Sequence, residues 1–259
     1  MDWNRTKTIF IFTFLILNIY LGYQIFKTHQ EDQYSLFVES SVEEQLTSEG
    51  IEYKHLPVDV KEASSLNAKS KLFKDEDLKK LKEQKATLLE EKTIRSVLDK
   101  PFSVPEKNTK AKLSQFLKRY VLSGEDYELW NVNKEKKTVT FFQRYKKHKI
   151  YDNENGMIIA HLNDKGEIVS YEQTMLGSVK TLDDEQDVLS PLKALENLFL
   201  KDELKKKDKV TDVEFGYYTF DLPLLNSQVL APTWHIVVNE DTSYFVNAFE
   251  GQIIKKGNK

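Results

Sequence analysis

Hydrophobic and polar positions divide the chain unevenly. Residues 8–26 (TIFIFTFLILNIYLGYQIF) hold 19 positions without a charge, and no other long apolar run occurs. As a helix rising ~1.5 Å per residue this stretch reaches ~28 Å, close to the ~30 Å hydrocarbon core of a bilayer. The pattern predicts a single transmembrane helix over 8–26. A cleaved secretory signal has a shorter apolar region and a small-residue cleavage site. Here Lys27-Thr28-His29-Gln30-Glu31-Asp32 follows instead, with no A-x-A pattern and no cysteine for lipid attachment. A retained signal anchor is expected. Arg5 and Lys7 precede the run, whereas Glu31 and Asp32 follow it. The positive-inside rule then puts residues 1–7 in the cytoplasm and the C-terminal bulk outside, a single-pass protein of the cell membrane. Trp3, Tyr20 and Tyr23 suit the interfacial aromatic belts.

Asn18 lies near the middle of the run. One reading is tolerance, the amide bonding to its own helix. The other is an interhelical hydrogen bond of ~0.6–2 kcal/mol. Phe14, Asn18 and Gly22 form an i, i+4, i+8 stripe, and Gly22 permits close approach on that face. There is no GxxxG motif. The two readings carry equal weight, and Phe14, Asn18 and Gly22 are the candidate partner-binding residues.

The rest alternates between helical and strand periodicity. Helices are predicted at Tyr34–Glu49, ended by Gly50, at Asp75–Gln84, from an Asn108 cap to about Leu122, and at Asp187–Leu200. Ile51–Val60 reads as extended, Ala68–Phe73 as a strand, and Thr87–Leu98 as partly strand. Further strands are predicted at Tyr127–Val132, Thr138–Tyr145, Met157–Leu162, Ile168–Leu176, Val210–Phe220, Val229–Val238, Ser243–Phe249 and Gln252–Ile254. Asn133-Lys134, Asn155-Gly156 and Lys165-Gly166 supply turns. The proline-flanked segment Lys100–Pro105 divides a membrane-proximal part, 27–103, from a C-terminal part, 104–259. Residues 157–169 weakly repeat as 244–254: strand, tight turn, glycine, strand. Two β-hairpins explain this by themselves, but a helix before the second copy suggests tandem helix-plus-sheet units. The expected fold is α+β, antiparallel sheets packed with helices.

Composition narrows the function. Lysine and arginine number 38 against 41 acidic residues, a net charge of −3. Nucleic-acid binding would need a basic excess, so no nucleic-acid partner is expected. The absence of cysteine removes thiol nucleophiles and thiolate metal sites. Fifteen Phe, twelve Tyr and three Trp supply enough core for a folded exterior.

Catalytic patterns are missing. The histidines, His29, His55, His148, His161 and His235, show no metal-ligand spacing, and no H-E-x-x-H occurs. His161 and His235, inside strands, read as packed or hydrogen-bonded. There is no G-x-S-x-G, S-x-x-K, Walker loop or G-x-G-x-x-G. Asp152-Asn-Glu-Asn-Gly156 lacks the later ligands of a calcium loop and reads as a turn. Arg144–Lys149 and Lys205–Lys207 are basic runs that read as solvated strand and helix ends, although the first could meet an anionic wall polymer. No catalytic residue, cofactor or metal is expected, and the chain does not read as an enzyme.

The opening Met1-Asp2-Trp3-Asn4-Arg5-Thr6-Lys7-Thr8-Ile9-Phe10, with Phe14–Asn18 and Leu21-Gly22-Tyr23-Gln24, resembles the YycI (WalI) family of low-GC Gram-positive bacteria. The likeness continues through Val42–Leu46 to Ala231-Pro232-Thr233-Trp234-His235-Ile236 and Tyr244–Gly251, essentially the whole chain. The C-terminal pattern is shared more widely and looks like a PepSY-type unit. The resemblance implies a membrane-bound accessory protein of the YycFG (WalRK) two-component system. It would act with YycH (WalH) on the sensor histidine kinase YycG (WalK), which governs cell-wall metabolism. In some members the pair restrains the kinase and in others activates it. Two other classes stay open: a PepSY-like extracellular protease inhibitor or chaperone, and a cell-wall-polymer-binding protein.

Overall fold

A computed structural model describes residues 7, 10–22, 42–53, 56–57, 60–105, 107–220 and 227–258. The chain divides into two compact units, Met1–Gly50 and Ile51–Lys259. In the first unit, residues 10–22 and 42–48 are helical. Val42 and Leu46, one turn apart, are buried. Gly50 stops that helix in the left-handed region (φ 72°), its N–H donating to the Thr47 carbonyl at 2.9 Å. Residues 34–41 of the expected helix lie outside the described residues.

The second unit is sheet-rich. Its strands are β1 (Glu52–Tyr53), β2 (Glu62–Ala63), β3 (Leu66–Ser70), β4 (Gln84–Leu89), β5 (Thr93–Ser103), β6 (Tyr127–Asn133), β7 (Thr138–Tyr145) and β8 (His148–Tyr151). There follow β9 (Met157–Leu162), β10 (Glu167–Gln173), β11 (Leu176–Thr181), β12 (Gln186–Asp187), β13 (Lys209–Phe220), β14 (Gln228–Val238), β15 (Thr242–Asn247) and β16 (Ile253–Asn258). Helices span Asp75–Leu78, Thr109–Tyr120 and Pro191–Leu200.

A motif occurs twice. Helix 109–120 precedes the antiparallel meander β6-β7-β9-β10, and helix 191–200 precedes the meander β13-β14-β15-β16. The weak sequence repeat falls on the third and fourth strands of each meander, where Gly166 and Gly251 both adopt positive φ. The hairpin strand β8 joins the two, antiparallel to β7 and parallel to β13. β5 and β4 extend the sheet beyond β10, and β3 and β11 extend it from β14. Strands on either side of the 103/104 boundary thus share one sheet.

Each helix lays its apolar face on its own strands. Leu113, Phe116, Leu117 and Tyr120 pack with Val139, Phe141, Ile158, Ala160, Ile168 and Tyr171. Burying side chains of the size of Leu113 and Phe116 contributes about 1.5–3 kcal/mol each. In the second motif Leu192, Leu195 and Leu198 are buried, and the fully buried Trp234 donates its indole N–H to the Leu189 carbonyl at 2.9 Å.

Several local expectations shift. Asn108 holds the N-cap position of helix 109–120 in the left-handed region (φ 65°), and its side chain makes no cap. Thr109 Oγ1 donates to the Pro105 carbonyl at 3.0 Å. The helix expected from Asp187 starts at Pro191, because Ser190 is the better cap: its Oγ accepts from the Lys193 N–H at 3.2 Å. The helix expected over 75–84 stops at Leu78, and Gln84 already opens β4. The region 87–98 forms two strands, reversed at Glu90 and Glu91, both with positive φ. The strand expected over 168–176 breaks after Gln173, where the buried Gln143 takes over: its Nε2 donates to the Leu176 carbonyl and its Oε1 accepts the Leu176 N–H.

Candidate functional site

Phe14, Asn18 and Gly22 lie on the 10–22 helix at one-turn spacing. All three are exposed: Phe14 by 63%, and a Cβ built on Gly22 meets nothing within 4 Å. Phe10, Ile11, Phe12, Leu15, Ile16, Leu17, Ile19, Tyr20 and Leu21 are exposed as well, on every side of the helix. A helix that is apolar all round needs an apolar environment outside itself. Among the described residues no helix is long and apolar enough to cross a membrane.

In the second unit the most built-up site lies where β8 ties the meanders together. Leu129 and Val132 of β6 pack toward helix 109–120, while Trp130 packs on the opposite face with Phe142, Tyr151 and Phe245. Two residues three apart share a face because a β-bulge falls between Leu129 and Asn131. Trp130, Tyr151 and Phe245 surround the buried His235 ring at 4.9–5.2 Å, and His235 Nε2 lies 3.0 Å from Ser243 Oγ. His235 is thus packed and hydrogen-bonded. His161 is half-buried in β9, and His29 and His55 lie outside the described residues.

Charge collects beside this aromatic cluster. Lys149 Nζ contacts Glu128 at 3.0 Å and Glu214 at 2.7 Å, so one ammonium bridges β6 of the first meander and β13 of the second. Burial pulls the Lys149 pKa down, but its hydrogen bonds and charge contacts with Glu214 and Glu128 outweigh that and hold it above the ordinary lysine value. Arg144 donates from Nη2 to the Glu125 carbonyl at 2.7 Å and faces Glu128 at 3.7 Å. Burial, reinforced by Glu214, Asp212 and Glu128, keeps the Tyr151 hydroxyl neutral. His148 Nδ1 lies 3.3 Å from the Phe215 carbonyl, and burial lowers its pKa, with Lys147 and Lys146 acting in the same direction.

The basic run 144–149 is therefore not one solvated patch. Lys146 and Lys147 are exposed at the turn, but Arg144 and Lys149 turn inward onto carboxylates. Place in the hairpin decides which lysines face the junction, since Lys146 and Lys147 form the turn and Lys149 lies in β8, and β8 itself was not foreseen from the sequence. Lys205–Lys207 is exposed, as expected. Asp152–Gly156 is a turn held by the buried Asn153, whose Nδ2 donates to Thr219 Oγ1 at 2.7 Å and Gln228 Oε1 at 2.8 Å. Among the described residues no cluster of His, Asp and Glu is arranged to hold a metal ion.

A cleft of about 770 Å³ opens beside β6, between helix 109–120 and the second meander. Its lining includes charged, apolar and aromatic groups, among them the Lys149 ammonium held between Glu128 and Glu214.

The family model described as "YycI protein" matches residues 29–249. No curated protein sequence matches the chain. Among solved structures the chain is similar to an uncharacterized protein from Eubacterium rectale (11% identity, 79% of this chain and 90% of that one, TM-score 0.45). It is also similar to the C-terminal domain of Bacillus megaterium YpeB (16%, 86% and 97%, TM-score 0.43). A third is YycH from Bacillus subtilis (13%, 76% and 54%, TM-score 0.42).

Proposed function

The chain belongs to the YycI family, and on that premise we propose that it is a membrane-anchored accessory regulator of the YycG (WalK) sensor histidine kinase. It acts with YycH (WalH) in the YycFG (WalRK) two-component system that controls cell-wall metabolism. Its role is regulatory and not enzymatic. The N-terminus is cytoplasmic, residues 8–26 span the cell membrane, and the sheet-rich unit is extracellular.

The observation that carries this reading is the 10–22 helix, apolar and exposed on all sides. Such a surface in water would be a large aggregation hazard. In a bilayer it is matched by lipid, and the Phe14, Asn18 and Gly22 face is free to meet the kinase's transmembrane helices. Regulation then follows if the complex binds two kinase states with different affinity, and ~1–3 kcal/mol of coupling moves activity several-fold to about a hundredfold.

Asn18→Leu in the full-length protein tests this contact. We expect loss of membrane two-hybrid association with the kinase and an altered regulon reporter, at normal expression. Unchanged association and reporter would move recognition to the extracellular surface.

The repeated helix-plus-meander motif, PepSY-like in its arrangement, supports a second reading as a protease inhibitor or chaperone. Inhibition of a secreted protease by the purified protein would favour it. The wall-polymer reading loses ground because Arg144 and Lys149 are already engaged by carboxylates and a carbonyl.

A further inference from the structure

β6 is an edge strand: among the described residues it pairs with β7 alone. In a strand every second residue turns its N–H and C=O to the same side, so an edge leaves a row of them without a ladder partner. Six consecutive β6 residues, Tyr127–Val132, line the 770 Å³ cleft. Successive side chains point to opposite faces of a sheet, so a cleft touching six in a row runs along the strand's edge and not over one face.

The two walls of this groove carry opposite charge. Helix 109–120 presents the exposed Lys110 and Lys118 on one side of β6, with Ser114 between them. The face on which Glu128 and Trp130 lie meets the second meander, which presents the exposed Asp212 and the Lys149-bound Glu214. Among the described residues Lys110, Lys118 and Asp212 make no ion pair.

We propose that the free edge of β6 accepts an extended segment of a partner protein as an added strand, with acidic or apolar side chains alternating with basic ones. The ladder supplies affinity without sequence preference. Alternation supplies selection: acidic side chains meet the Lys110 and Lys118 wall while basic ones meet Asp212. The bulge between Leu129 and Asn131 interrupts the edge and keeps the paired runs short. The inference goes beyond the proposed function, since it rests on the folded unit and needs neither the anchor nor a kinase.

The probe is a fluorescein-labelled peptide, Glu-Lys-Val-Lys-Glu-Lys-Val, titrated against the full-length protein in lipid nanodiscs. We expect a saturable anisotropy rise and slowed hydrogen exchange across residues 127–133. The fully N-methylated peptide, which cannot form a ladder, should not bind. Lys110→Glu with Lys118→Glu, both at exposed helix positions, should weaken binding about fivefold. A peptide with lysine in place of glutamate should then recover it. No binding, equal binding of the N-methylated peptide, or unchanged exchange at 127–133 overturns the proposal. So does a dimer by light scattering that the peptide disrupts, because the edge then belongs to a second copy of the chain.

Discussion

The Lys149 ammonium lies 3.0 Å from Glu128 and 2.7 Å from Glu214, with 11% of its side chain exposed. Replacing it by methionine keeps the stem and leaves two carboxylates facing a gap. Both carboxylates are more than a third exposed, so water relieves part of the repulsion. We expect Lys149→Met to cost about 1–2 kcal/mol, less than a fully buried pair would. A lower urea midpoint at unchanged slope is the check. His148 gives a pH dependence. Its folded pKa lies below the unfolded value of 6.5, so the unfolded chain binds the proton more readily. Stability from this site is whole above pH 6.5 and falls as pH drops through 6.5 toward the folded pKa. His148→Gln should remove that part of the decline, seen as a smaller loss of urea midpoint between neutral and mildly acidic pH. Both roles escape a sequence reading, because Arg144–Lys149 shows a run of bases while burial on carboxylates or a carbonyl depends on which way each side chain faces.

Among the elements, β7 and β9 have the bounds that the hydrophobic pattern predicts, 138–145 and 157–162. Their alternation is strong and turn residues flank them. β8 has only four residues, too few for alternation to register, and its turn uses Lys146 at positive φ in place of glycine or asparagine. The β4–β5 hairpin is hidden for the same reason, since Glu90 and Glu91 adopt the left-handed region without any Asn-Gly signal. β8 holds the two meanders together at Gly216, where a Cβ would meet the Tyr151 ring at 2.4 Å and the Lys149 carbonyl at 2.6 Å. Gly216→Ala should therefore push β8 from β13 and cost about 1–3 kcal/mol. Faster hydrogen exchange at residues 148–151 than in helix 109–120 would separate local opening from a general loss of stability.

At the scale of the whole molecule, the proposed anchor and the sheet-rich unit do separable work. Exporting residues 27–259 from a cleavable signal, in place of the full chain, should abolish regulation of the kinase while the sheet-rich unit still folds. A soluble form that restores the regulon reporter fully would refute the anchor's role. The paired helix-plus-meander motif was visible as a faint repeat because its turns need glycine at matching places, Gly166 and Gly251. Local patterns carry such information: an uncharged run announces an apolar helix, alternation announces strands, and missing motifs narrow the chemistry. Family membership likewise follows from the residues in order. Pairing between distant strands does not, because a hydrogen-bonded edge has no side-chain signature. Only folding makes β6 an edge, brings Glu128 and Glu214 to one lysine, and closes an aromatic shell around His235. These contacts join residues up to about a hundred positions apart, where periodicity and turn chemistry have no reach.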